Sequence, residues 1–329
     1  MTDLFIATGN SFARISKNGA GWRLEKALRG KGVQNIAVDP GNSDILYVGT
    51  SGNGLWNSRD RGRTWENVDF PEPNVYSVAV SAADGTVYAG TEPSKLFKSV
   101  GGAQAWEELS ALRSIPSAPS WSFPPRPWTS HVRTIAPNPK DPQLLLVGIE
   151  LGGVMYSRDG GDTWEDHRPG AVKDAHELTW HPTDSNRAYE VGGGGAAWSL
   201  DGGKIWKSSN RGRDRHYVWA LAVDPADPDT WFISATYHPG LAHSGTFQGN
   251  HAADAHVYRW QGEGPWEALV GLSESSRVMP YALSISNGRL FAGMADGSLH
   301  FSDDRGDTWN ALQTSGDPIN RMAALVAVD

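Results

Sequence analysis

The sequence has no cysteine, so neither a disulfide nor a thiolate metal centre can contribute to its fold or its chemistry. Long apolar runs are missing too. No stretch reaches the ~18 residues of a membrane-spanning helix, and the start, MTDLFIATGN, carries no basic segment leading into an apolar one. These absences lead to the expectation of a soluble, cytoplasmic chain with no membrane partner. Positive charge is in deficit: 29 Lys and Arg stand against 37 Asp and Glu, a formal net charge of −8. Non-specific nucleic-acid binding depends on neutralising phosphates, so a nucleic acid is not an expected partner.

What is present is turn-forming and aromatic: 38 Gly, 20 Pro and 15 Trp in 329 residues. Trp22, Trp65, Trp106, Trp164, Trp206, Trp266 and Trp309 recur in equivalent contexts at intervals of 43, 41, 58, 42, 60 and 43 residues. The unit is clearest where VQNIAVDP, ILYVGT, GLWNSRD and RTWENV follow one another. These are four short runs of β-branched and aromatic residues separated by Gly, Asp and Pro. Each such unit is one four-stranded blade.

The two ends share a blade. LFIATG at the start matches a second strand, and MAALVAVD at the end matches a first strand. The expected fold is therefore all-β: a seven-bladed β-propeller of four-stranded blades, closed by the C-terminal strand joining the N-terminal blade, with residues 1–329 as one domain. The long intervals hold insertions at 108–131 and 237–256. Strand order puts both on one axial face, where their Pro, Ser, Gly and aromatic content suits lids over a pocket.

SRDRGRTW (58–65), SRDGGDTW (157–164) and SDDRGDTW (302–309) fall between the third and fourth strands. A carboxylate in such a hairpin accepts hydrogen bonds from turn N–H groups and from Ser or Thr hydroxyls, and the Trp packs outer strands. Because the motif repeats, degenerating in SLDGGKIW and SVGGAQAW, it reads as a structural clasp and not as a reacting acid.

S-x-D-x-G-x-T-W once per blade resembles the Asp-box of the BNR-repeat propellers, a superfamily that includes sialidases, sortilin-like receptors, xyloglucan hydrolases and photosystem II assembly factors. The resemblance covers the whole chain and implies the propeller fold, while its members divide between enzymes and scaffolds. Sialidases as a class carry an F/Y-R-I-P motif on a six-bladed ring. Here FARIS (12–16) lacks the Pro and has Ala before Arg14, and the blade count is seven, so a typical sialidase is not implied.

Aligning the starts of the first strands gives two columns. Val33, Val75, Val132, Ala175, Val218, Pro280 and Ala323 are apolar and should pack blade on blade. The next residues, Gln34, Tyr76, Arg133, His176, Trp219, Tyr281 and Ala324, should face the axial mouth. Asn74, His131, Asp174, Tyr217 and Met279 form a second tier. His243, His251, His256, His167 and His300 read as ordinary loop histidines.

Two chemistries fit these columns. In one, His176, Arg133, Glu150, Glu177 and Tyr281 form a catalytic set, with acid–base partners and an arginine holding an anion. Gln34, Tyr76, Trp219, Tyr217, Tyr237 and Trp128 would then line the substrate site. In the other, His131, His176, His238 and Glu150 bind a divalent metal ion, the one cofactor the sequence brings into view. The expected function is a hydrolase or lyase acting on a small molecule or glycan, and the alternative is a non-catalytic interaction or assembly scaffold. Oligomeric state, substrate and cofactor identity are not fixed by the sequence.

Overall fold

The strand-forming runs of each repeat form strands in the order read, and Gly, Asp and Pro turn the chain between them. The computed structural model describes residues 2–19, 21–243, 252–272 and 276–329. His251 and part of the second insertion lie outside the described residues. The chain folds as a seven-bladed β-propeller built on four-stranded blades, with Thr314–Ser315 added parallel to Trp22–Arg23 as a fifth strand of the N-terminal blade. Among the described residues helix is confined to short 3-10 turns and the four residues Pro239–Ala242.

Two compact units can be described. One comprises Lys31–Gly192 and Ala196–Ser208, and the other Met1–Gly30, Gly193–Gly195 and Ser209–Asp329. The first holds blades two to five, which open with Val33–Asp39, Val75–Val80, Val132–Pro137 and Ala175–Trp180. In blade four the outermost strand is reduced to a bridge between Tyr156 and Glu165. The second unit holds blades six and seven, opened by Tyr217–Val223 and Pro280–Ser286, and the N-terminal blade. There Ala324–Val328 pairs antiparallel with Asp3–Ala7, from Asp3 opposite Val328 to Ala7 opposite Ala324. The C-terminal strand thus completes the blade that the N-terminus begins.

The apolar column packs against glycine. A Cβ on Gly49 would lie 2.9 Å from Val75 Cγ1, one on Gly90 2.5 Å from Val132 Cγ1, and one on Gly148 3.0 Å from Ala175 Cβ. Each glycine sits on a second strand, so a first strand of the following blade approaches backbone where a side chain would stand. In blade seven Gly293 meets Met322 in place of the expected Ala323.

The next column is set apart by register. Pairing slips between Val33 and Asn35, Val75 and Ser77, Val132 and Thr134, Ala175 and Glu177, Val218 and Leu221, and Pro280 and Ala282. Gln34, Tyr76, Arg133, His176, Trp219 and Tyr281 therefore stand in β-bulges, which re-aim a side chain out of the ladder. Ala324 pairs without a shift.

The clasps form as expected of a hairpin turn. Ser157 Oγ donates to Asp159 Oδ1 at 2.8 Å, and Thr163 donates to the same oxygen from its backbone N–H at 2.8 Å and to Oδ2 from its hydroxyl. Trp164 Nε1 donates to the Gly161 carbonyl at 3.0 Å. Asp60 and Asp304 repeat the arrangement, and Asp201 does so without the hydroxyl that Ile205 lacks.

Candidate functional site

Bulges and second strands of blades three, four and five assemble a polar cluster within the unit of blades two to five. His131, immediately before Val132–Pro137, is fully buried. Tyr76, the bulge residue of blade three, stacks on its ring at 3.9 Å between centroids, and Phe123 meets it edge-on at 4.9 Å. Its Nε2 lies 2.6 Å from Glu150 Oε2, and its Nδ1 3.6 Å from Glu92 Oε2. Glu92 is in turn gripped by Arg126, whose Nε and Nη2 each donate at 2.7 Å.

Glu150 follows the second strand of blade four, Leu145–Ile149. Burial pushes its carboxyl up, but the His131 hydrogen bond and the charges of Arg133, His131 and His176 outweigh burial and hold it at about 2. An ionised carboxylate only accepts, so the proton between the two groups belongs to His131 Nε2. Arg133 Nε stands 3.7 Å from Glu150 and donates to the His176 carbonyl at 3.2 Å. His176 Nε2 is 3.5 Å from Asp174 Oδ2. One ligating atom from each of Glu150, Asp174 and His176 lies within 4.8 Å of the others, so these three could hold a divalent cation.

The structure thus brings together His131, Arg133, Glu150, His176 and Tyr76 of the expected residues. Glu177 is half-buried on Ala175–Trp180, opposite Val191, and Gln34 occupies the bulge of blade two. Trp128 is 79% exposed on the insertion that also carries Phe123 and Arg126.

Tyr217, Trp219, Tyr237, His238 and Tyr281 belong to the other unit. There Trp219 stacks on Tyr281 at 5.2 Å and lies 6.2 Å from Tyr217. His243 bridges the tyrosines, with Nε2 3.2 Å from the Tyr217 hydroxyl and Nδ1 2.9 Å from that of Tyr281. Tyr237 donates to Asp214 at 3.1 Å beneath the Arg215 guanidinium, and His238 precedes the short helix Pro239–Ala242.

Sequence reasoning missed Glu92, Phe123, Arg126 and the bridging role of His243. Glu92 carried a signal, because AGTE in blade three aligns with VGIE in blade four and puts an acid after the second strand in both. Phe123, Arg126 and His243 stand in insertions, which have no counterpart column.

Comparison with known proteins adds a glycan connection. The chain is 51% identical over 225 residues to the xyloglucanase Xgh74A of Acetivibrio thermocellus, a match covering 61% of this chain and 22% of that protein. A xyloglucanase of Hypocrea jecorina is 23% identical over 300 residues, 73% of this chain and 33% of the relative. The chain therefore spans only 22% to 33% of these relatives' lengths. Among solved structures, the GH74 enzyme of Niastella koreensis superposes with a TM-score of 0.71 at 14% identity, over 97% of this chain and 52% of that one. YCF48 bound to D1 peptide superposes with a TM-score of 0.60 at 13% identity, over 89% of this chain and 87% of that one. At such identities the superpositions speak for the fold alone. No protein-family model matches the chain.

Chemically, the cluster offers two carboxylates in close reach, one of them held ionised, together with two buried imidazoles and a guanidinium. Two carboxylates flanking a bound sugar are the usual equipment for cleaving a glycosidic bond.

Proposed function

We propose that this propeller hydrolyses a glycan of the β-linked, xyloglucan-like class, and that its clasps are Asp-box repeats. The observation that carries the reading is the convergence of Glu150 and Asp174 with His176 within 4.8 Å, in a chain similar to xyloglucanases. Glu150, anchored by His131 and near Arg133, remains the anion and stabilises developing positive charge at the anomeric carbon. Asp174, half-buried and beside His176, takes the acid's part and protonates the leaving oxygen as the glycosidic bond breaks, and a water molecule then adds to the anomeric carbon and gives its proton to the Asp174 carboxylate. Trp128, exposed on the insertion that also carries Phe123 and Arg126, is suited to stacking on a sugar ring.

The test is turnover of xyloglucan oligosaccharides by the purified chain and by Glu150→Gln and Asp174→Asn. Each variant is expected to lose at least about a hundredfold in kcat while keeping its circular dichroism, the loss typical of removing a positioned acid or base. Turnover that survives both substitutions would put the chemistry elsewhere.

The same three side chains favour a second reading, in which they ligate a divalent ion that activates water. Elemental analysis, chelation and re-metallation separate the two, because the acid–base reading expects activity to be indifferent to chelator. A third outcome is no turnover on any glycan together with saturable peptide binding. That result would favour the scaffold reading.

A further inference from the structure

Arg213 and Arg215 stand two residues apart in the run NRGRDRH, and both are buried. Arg215 is fully provided for. Its guanidinium donates to Asp214 Oδ1 and Asp254 Oδ1, each at 2.8 Å, and to the Asp254 carbonyl at 2.7 Å. Arg213 has no such company. It is 5% exposed, its Nη2 donates to the neutral amide oxygen of Asn210 at 2.5 Å, and its Nε and Nη1 are buried without a partner among the described residues. Trp266 is in cation–π position, its ring centroid 5.4 Å from the guanidinium carbon. Asp214, the adjacent acid, is committed to Arg215, Tyr237 and Tyr258.

A buried guanidinium without an anion is costly, and two orphaned donors add to that cost. Burial pulls the Arg213 pKa down, to about 10, which still leaves the group charged at neutral pH. The surroundings give such a charge a route to solvent. Gly193–Gly195 is a turn without side chains, Gly194 is exposed, and a Cβ on Gly195 would lie only 3.2 Å from Arg213 Nη2. Asn210, itself exposed, covers the guanidinium with a single amide oxygen. That oxygen stands where an oxyanion would bind, as a weak, uncharged substitute.

We infer that Arg213 is the seat of an oxyanion-binding site, which takes a phosphate or carboxylate group in place of the Asn210 amide oxygen at the foot of the Gly193–Gly195 turn. The inference is independent of the glycan reading, since none of these residues takes part in it. The ligand's source is either a free inorganic oxyanion or the carboxylate of a sugar acid.

The experiment is calorimetric titration of the full chain with inorganic phosphate and, separately, glucuronate, at constant ionic strength against chloride. Saturable binding of at least one probe at concentrations up to about 10 mM is expected. Arg213→Met keeps the buried aliphatic volume and removes the fork, and should weaken that binding by about tenfold or more. Arg213→Lys keeps the charge and tests the fork if the Met variant fails to fold; it should also bind more weakly. Asn210→Ala removes the competing oxygen and should bind at least as tightly as the wild type. Binding of phosphate alone identifies a free oxyanion, and binding of glucuronate identifies a sugar acid. No saturable binding of either probe, or unchanged binding in every folded Arg213 variant, overturns the inference.

Discussion

Asp159 accepts hydrogen bonds from Ser157 and from both the backbone and the hydroxyl of Thr163. What little burial it has pushes its carboxyl up, but those donors outweigh burial and lower it; Asp60 is held at about 2 in the same way, and Asp304 at about 2 chiefly by Thr308. A carboxyl depressed in the fold stabilises above its unfolded pKa of about 3.9 and ceases to do so as pH falls toward the folded value. Asp159→Asn should cost about 1–2 kcal/mol at neutral pH. The difference from wild type should shrink as denaturant midpoints are followed from pH 4 to pH 2. Glu190 has the opposite sign. It is wholly buried, with one oxygen accepting from the Val172 N–H at 2.8 Å and the other unpartnered among the described residues, and burial raises its carboxyl well above the usual range. Its contribution is present below the unfolded pKa of about 4.3 and is lost as pH rises. Glu190→Gln should therefore flatten stability against pH above pH 4 in urea melts; parallel curves would count against a neutral Glu190. The clasps were legible in the sequence because they are closed within eight consecutive residues. Glu190 was not, since its burial comes from packing that no local pattern records.

The bulge is the element-scale feature that turns repeats into a site. In six blades it sets the residue of this column out of the first strand's pairing, and in blades three to five those residues are Tyr76, Arg133 and His176. The sequence revealed the column because the apolar position before it is constant in kind. It did not reveal the bulge, which is a matter of register. Nor did it reveal which of the column's residues touch, because Arg133 reaches His176 through a backbone carbonyl that has no sequence signature. The complementary device is the second-strand glycine. At Gly90 a Cβ would meet Ser77 Oγ and Val132 Cγ1, both at 2.5 Å. Ser77 Oγ itself donates to the Val132 carbonyl at 2.7 Å, so neither neighbour is free to withdraw. Gly90→Ala should overpack this contact and cost about 1–3 kcal/mol, measured by urea denaturation. Since Val132 adjoins both His131 and Arg133, the same substitution should disturb the candidate site more than an equally destabilising change in a clasp.

For the whole molecule, the question is how a chain matching 52% of the Niastella koreensis structure ends its own sheet system. The sequence already indicated the answer, because its first run matched a second strand and its last run a first strand. In the structure Ala324–Val328 lies along Asp3–Ala7, which on its other side pairs with Phe12–Asn18. Further contacts reinforce the closure. Ser284 Oγ accepts from the Ala327 N–H at 3.0 Å, Ser286 Oγ donates to the Asp329 carboxylate at 2.7 Å, and Leu325 is buried in a cluster that includes Leu4, Ile6 and Met322. Removing residues 324–329 would leave the paired edge of Asp3–Ala7 bare and open that cluster to water. An exposed edge of five consecutive buried residues is both unstable and a template for association. The truncated chain should lose cooperative unfolding or melt far below the intact one, and should aggregate as concentration rises, as followed by calorimetry and light scattering. A synthetic peptide of residues 319–329 should restore part of the lost stability by re-forming the strand in trans. A truncated chain that melts like the full one and gains nothing from the peptide would mean that the C-terminal strand decorates the first blade without completing it.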